Sequence, residues 1–196
     1  LTQFGTGLGW VLLVTWAPRY FHGAHHVDVE TRAWMVFLPV MVGWLGMISG
    51  GPLTDRLVRI VGLRGGRALP MSLSRFTAMA AYLVCLYPWS SPWVVVAAFA
   101  AVAFSTDLGT AALWAYNQDV GGRYVGSVLG WGNMWGNLGA FFASRYLISL
   151  VGQSQNWNAD FLTCATAFLI SGIAALGVDA RVPIVPQDEQ DKGPRQ

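Results

Sequence analysis

Charge is scarce in this sequence: 196 residues carry 12 Lys and Arg against 10 Asp and Glu. An ordinary soluble domain has roughly a quarter of its residues charged, and 11% is too little to cover a water-soluble enzyme of this length. The net charge is only +2, which excludes a disordered chain, because disorder needs low hydrophobicity and high net charge. Cysteine is limited to Cys85 and Cys164, both inside apolar runs. That excludes a disulfide scaffold, and thiols so placed pack as small hydrophobes. No basic region precedes the first apolar stretch, so that stretch does not read as a signal peptide. Leu1 already stands in a hydrophobic run, and the chain reads as the remainder of a longer protein whose N-terminal part is absent. What the sequence does have is apolar: 54% hydrophobic and 13% aromatic residues, with ten Trp. The class is an all-α integral membrane protein.

A spanning helix needs about 20 mostly apolar residues. Six stretches qualify, at about residues 1–21, 33–53, 68–87, 93–116, 124–150 and 160–178. They make residues 1–180 one six-helix transmembrane domain and leave 181–196, Pro-rich and charged, as a disordered tail. Basic residues set the orientation. Arg56, Arg59, Arg64, Arg67, Arg123, Arg181, Lys192 and Arg195 fall on one side, against Arg19 and Arg32 on the other. The tail and the connector between the second and third helices are therefore expected in the cytoplasm, and the membrane is expected to be the plasma (inner) membrane.

The fourth helix carries the sharpest polar signal. Asp107 lies 14 residues after Trp93, roughly 21 Å down at 1.5 Å per residue and so near mid-membrane. Ala100, Ala103, Asp107, Ala111, Trp114 and Gln118 align on one face. A carboxylate at that depth must face a cavity, pair with a base or be protonated. Either it pairs structurally with a group in the absent part, or it touches a substrate or coupling ion. No deep Arg or Lys is expected beside it, since Arg75 and Arg145 are placed only as lying within helices. The fifth helix sorts into three faces: Gly126, Gly130, Asn133 and Asn137; Gly132, Gly136, Gly139 and Ala143; and Trp131, Trp135, Leu138 and Phe142. The second has the small-residue spacing of close helix packing, and the third suits lipid. The asparagines either bond neighbouring helices or hydrogen-bond a polar substrate.

At the end of the second helix stands Gly51-Gly-Pro-Leu-Thr-Asp55-Arg56-Leu-Val-Arg59. Read alone it is a positive-inside loop, or an acid–base pair that locks helix ends. It resembles the cytoplasmic loop signature of the major facilitator superfamily, G-x-L-x-D-R-x-G-R followed by Arg or Lys. Gly51, Leu53, Asp55, Arg56 and Arg59 match, while Val58 replaces the second Gly and Ile60 the last base. The stretch from Asp107 through Trp114, Asp119 and Arg123 to Asn133 and Asn137 is similar to the tenth and eleventh helices of the anion:cation symporter family. Thr15-Trp16-Ala-Pro18-Arg-Tyr20 is similar to the end of that family's seventh. Arg145 departs from the family, which more often has Pro near there.

The resemblance implies the C-terminal half of a twelve-helix carrier, with six helices arranged as two inverted three-helix repeats. Its partners would be the lipid bilayer and the missing N-terminal six-helix half. The implied function is symport of small organic anions, sugar acids such as hexuronates foremost, with H⁺ or Na⁺ as coupling ion and no cofactor. A carrier for a neutral sugar, nucleoside or drug-like solute is the alternative. Asp107, Trp114, Asn133 and Asn137 are the candidate substrate-binding residues, and Gly51, Asp55, Arg56 and Arg59 the candidate gating residues. His22, His25 and His26 cluster near Asp28 and Glu30, but their uneven spacing makes a metal site a weak reading. No enzyme motif and no nucleic-acid module occurs.

Overall fold

The computed structural model describes residues 1–154 and 157–184, and among them the chain forms helices joined by short turns, with no strand. Thr2–Val11 and Ala17–His25 run together through a π-helical turn, Leu12–Trp16, and form α1. Asp28 opens the next helix by accepting a hydrogen bond from the Thr31 amide, satisfying one of the free N–H groups of the first turn. Helix continues over Val29–Val84 except at Gly62, whose φ of 77° and ψ of 174° divide it into α2 (29–61) and α3 (63–84). A side chain would be strained there, so this one glycine makes the turn. α4 is Pro92–Gly121, with its proline in the first turn where no N–H is needed. A short 3-10 turn, Gly122–Tyr124, leads into α5, Val125–Ser154, and α6 is Trp157–Leu176.

These helices correspond to the six apolar stretches, but several overrun them. Residues 54–59, expected in a connector, are helical, and Arg64 and Arg67 stand in the first turns of α3. Apolarity marks only the part of a helix that hydrocarbon covers. The backbone hydrogen bonds that hold a helix continue into the charged ends. Val29–Val84, Pro92–Tyr146 and Trp157–Leu176 are long and apolar enough to cross a membrane. The outside of the bundle agrees: Trp44, Ile48, Trp131 and Phe141 are 61%, 72%, 63% and 64% exposed. A continuous apolar surface of that kind is a liability in water and suited to lipid.

Small residues decide which helices touch, because in lipid close approach of backbones replaces the hydrophobic drive. Gly43, Gly46 and Gly50 of α2 press on Ala103, Phe104 and Leu108 of α4. Gly7 and Gly139 bring α1 and α5 together, against Gly136 and Phe4. Gly5 and Gly9 seat α1 on Ser171 and Phe168 of α6, Gly109 seats α4 on Ser74 of α3, and Gly172 seats α6 on Phe76 of α3. The packing order is thus α2, α4, α3, α6, α1, α5. At one end an aromatic core of Tyr20, Phe21, Tyr82, Phe99 and Phe161 ties α1, α3, α4 and α6. Tyr82 also donates to the Gly9 carbonyl at 2.8 Å, just before the π-helical turn.

Candidate functional site

α2 covers part of the α4 face that carries Asp107. Ala103 and Ala111 lie against Gly43 and Gly50, and a β-carbon on Gly43 would stand 2.6 Å from Asp107 Oδ2. Asp107 itself is half-buried, while Trp114 and Gln118 further along are exposed. The upper half of this stripe is therefore a helix contact. Its small residues serve the α2 interface.

Asp107 is not without a deep base. Arg75 of α3 is 0% exposed. Its Nη1 donates to the carbonyl of Thr106 at 3.2 Å and to Ser74 Oγ at 3.4 Å, while Nε and Nη2 have no hydrogen-bond partner. The carbonyl it binds belongs to the residue before Asp107, so a base does stand deep in the bundle near the acid, against the expectation of none, although no ion pair or hydrogen bond joins the two side chains. The two residues are 32 positions apart, on helices whose adjacency no local pattern reveals.

The three faces of α5 are in place. Gly132, Gly136 and Gly139 pack on Gln3, Gly7 and Phe4 of α1, and Ala143 is buried. Trp131, Trp135, Leu138 and Phe142 are exposed on the outside. Asn133 and Asn137 are exposed too, and Asn137 Nδ2 donates to the Asn133 carbonyl at 2.9 Å. No hydrogen bond among the described residues joins either asparagine to Asp107 or Trp114. α5 packs on α1 while α4 packs on α2 and α3, so the two polar sets stand on different parts of the bundle.

At the Gly62 end, Gly51, Asp55, Arg56 and Arg59 line one open depression of about 690 Å³ together with Pro52. Asp55 does not pair with its neighbour Arg56. It approaches Arg67 instead, Oδ1 to Nη1 3.7 Å, and Arg67 Nε donates to Asp119 Oδ2 at 2.7 Å. The Arg67 side chain is only 11% exposed, against 68% for Asp55, so the Arg67–Asp119 contact is the shielded and shorter one. α3 thereby holds the ends of α2 and α4 at once. Arg67 and Asp119 were not among the expected site residues, because Arg67 had counted only as a topogenic charge. Asp119 itself was the available signal: an acid on the side the bases occupy asks for a basic partner.

The same end is reinforced from α6. Arg64 lies 3.9 Å from Asp179, which also accepts from Arg181 Nε at 2.9 Å and Nη2 at 2.7 Å. Hydrogen bonds from Arg181 hold the Asp179 carboxyl well below the usual carboxylate range. Ile184 N donates to the Val120 carbonyl at 2.9 Å. The expected tail is thus tied to the bundle at Ile184, while 185–196 lie outside the described residues. Among the described residues, no group of three or more His, Cys, Asp or Glu is placed to hold a metal. His25 Nε2 shares a hydrogen bond with the Tyr20 hydroxyl at 3.2 Å.

Known proteins resemble this chain over nearly its whole length. The Major Facilitator Superfamily model matches residues 1–144. The chain is 26% identical over 188 residues to Probable sulfoacetate transporter SauU of Cupriavidus necator, an alignment covering 93% of the chain and 43% of that protein. It is 31% identical over 170 residues to Probable anion transporter 3, chloroplastic, of Arabidopsis thaliana, covering 82% and 31% respectively. To Probable galactarate/D-glucarate transporter GudP of Escherichia coli it is 23% identical over 165 residues, covering 83% and 36%. The chain spans less than half the length of each of these relatives. Their names are those of anion and sugar-acid transporters, in line with the anion:cation symporter resemblance. Apolar helices of spanning length and a family match over most of the sequence lead to one conclusion: this chain is a multi-pass membrane protein of the Major Facilitator Superfamily.

Proposed function

We propose that residues 1–180 form one six-helix half of a twelve-helix secondary transporter that carries a small organic anion by ion-coupled symport. A sugar acid such as a hexuronate is the leading substrate, and H⁺ or Na⁺ the coupling ion. The observation that carries the reading is the pairing of helices. Replacing α1, α2 and α3 by α4, α5 and α6, and the reverse, turns α2–α4 into α5–α1 and α3–α4 into α6–α1, and leaves α3–α6 unchanged. That is the pattern two inverted three-helix repeats would make, with the substrate site between two such halves near the midplane. The relatives' names support the anion.

In this reading Asp107, Trp114, Asn133 and Asn137 belong to the cavity wall. Gly51, Asp55, Arg56 and Arg59, with Arg67 and Asp119, form a latch that closes the cytoplasmic side. The excess of bases at the Gly62 end supports a cytoplasmic location for that end and for the tail, in the plasma (inner) membrane.

The test is uptake and counterflow by the full-length protein in vesicles, using glucuronate, galactarate and sulfoacetate beside a neutral sugar and a nucleoside. The expected result is saturable exchange of an acid, with accumulation that collapses when the H⁺ or Na⁺ gradient is removed. Exchange of a neutral solute alone would replace the anion with the neutral-carrier alternative. The absence of any exchange would reject the carrier.

A further inference from the structure

Three segments far apart in the chain enclose a cavity at the end of the bundle opposite Gly62. Its volume is about 310 Å³, at the lower end of the range for small-molecule sites, about 300–1,000 Å³. Tyr20 and His25 come from the end of α1, Tyr87 and Trp89 from the turn between α3 and α4, and Trp157 and Phe161 from the start of α6. The rings meet at steep angles: Tyr20 against Trp157 at 5.3 Å and 82°, Tyr87 against Trp89 at 4.7 Å and 56°. They therefore wall the space instead of stacking flat and filling it. Two of them are pinned: Trp89 Nε1 donates to the Val84 carbonyl at 2.8 Å, and the Tyr20 hydroxyl shares its hydrogen bond with His25 Nε2.

Charge decides what fits such a box. Among the described residues, no Lys, Arg, Asp or Glu lines it. Burial holds the His25 imidazole below its ordinary value, so it is uncharged at neutral pH. An anion would find no base there. Asp160 stands in the first turn of α6, between Trp157 and Phe161 in sequence; it is 0% exposed, and neither of its oxygens has a hydrogen-bond partner. No ion pair among the described residues compensates it. A buried carboxylate so placed favours a positive group within reach of the same helix turn. Aromatic walls favour one too, because the ring quadrupole attracts a cation.

We propose that this cavity is a binding site for an alkylammonium group, the head of a membrane lipid or a free amine. Tyr20, Tyr87, Trp89 and Trp157 form the cage, and Asn158, at its edge, offers an amide to the hydroxyl or ester oxygens that such groups carry. A bound head joins α1, the turn after α3 and α6 at one point. The site stands apart from Asp107, Asn133 and Asn137, none of which lines it, and it does not depend on what the carrier transports.

The experiment uses the full-length protein. It measures saturable binding of radiolabelled choline, competition by the uncharged isostere with carbon in place of nitrogen, and the thermal midpoint. The expected result is that choline binds and the isostere competes far more weakly. Tyr87→Leu, at a position 63% exposed, weakens choline about two- to thirtyfold, the range of one cation–π contact, and hardly moves the midpoint of the unliganded protein. Asp160→Asn weakens choline several-fold and leaves the isostere unaffected; if that variant fails to fold, Tyr87→Leu decides. Excess glucuronate leaves choline bound. No choline binding, equal binding of the isostere, or full affinity in Tyr87→Leu would overturn the proposal. Displacement by glucuronate would also overturn it, by placing the amine in the transport cavity. Vesicles with and without phosphatidylethanolamine distinguish the two sources. A midpoint raised by this lipid, with choline binding weakened in its presence, assigns the site to a lipid head; choline binding indifferent to the lipid assigns it to a free amine.

Discussion

Val58 of α2 lies so close to Gly66 of α3 that a β-carbon on Gly66 would collide with the valine's backbone and side chain. Val58 occupies the position where the superfamily's loop signature has its second Gly. The room for its side chain is supplied from the opposite arm of the hairpin. Gly66→Val is therefore expected to destabilise the protein by about 1–3 kcal/mol through overpacking, and Val58→Gly to recover only the part due to the valine side chain, since the backbone contact remains. Thermal denaturation of both single variants and the double variant measures this, and additive losses would show that the two positions do not compensate.

The latch at the Gly62 end predicts an order of effects. Arg67→Gln strands Asp119 and is expected to lower stability by roughly 3 kcal/mol, the cost of breaking a shielded pair from one side. Asp119→Asn leaves Arg67 with Asp55 nearby and costs less. Asp55→Asn costs least in stability, because an exposed partner at 3.7 Å contributes little, but it should slow transport by loosening the closed state while binding changes much less. Melting curves and uptake rates on the same preparations check the order. Asp55→Asn without effect on uptake would return the segment to a topogenic role.

Asn133 and Asn137 should not behave alike. Asn137 already spends an amide hydrogen on the Asn133 carbonyl, whereas no described hydrogen bond occupies the Asn133 side chain. One lost hydrogen bond to substrate costs about 0.5–1.5 kcal/mol, so Asn133→Ala should raise apparent KM about two- to twelvefold and Asn137→Ala by less. Substrate titration of uptake distinguishes them. Equal and unaltered KM values would mean that both serve helix packing.

The entry to α2 depends on pH. The backbone amide and hydroxyl of Thr31 hold the Asp28 carboxyl below its ordinary value. The stabilisation is therefore complete above about pH 4, the unfolded value, and is lost as pH falls through the lower folded value. Asp28→Asn keeps a capping oxygen without the titration, and Asp28→Ala removes both. The protection of the Thr31 amide, its exchange rate taken against the intrinsic rate at the same pH, is expected to fall on acidification in the unaltered protein, to show no such pH dependence in Asp28→Asn, and to be low throughout in Asp28→Ala.

Properties that belong to a single helix were legible in the sequence. Periodicity alone separated the packing, lipid and polar faces of α5, since each repeats within that helix. Reading across helices was harder. Nothing local to α4 announces that Gly43 and Gly50 will cover the stripe through Asp107. Arg67 and Asp119 are 52 positions apart, and Arg75 and the Thr106 carbonyl 31. Such pairings exist only once the packing order of the helices is known. The π-helical turn at Leu12–Trp16, by contrast, stands just before Pro18, a local signal, since proline cannot supply the N–H that a regular helix would use there.

α1 has to wait for its partners. Its glycines meet α5 and α6, and Thr2 Oγ1 donates to the Ser171 carbonyl, 169 positions away. When helices are released into a bilayer in chain order, the α2–α3 hairpin can close at once around Gly62, but α1 has only its contacts with α3 and α4 until the last two helices arrive. Contacts of such sequence separation form slowly. The slow step of assembly is then the docking of α1 rather than the insertion of any helix, and a translation pause before α5 prolongs the state that membrane quality-control proteases can recognise.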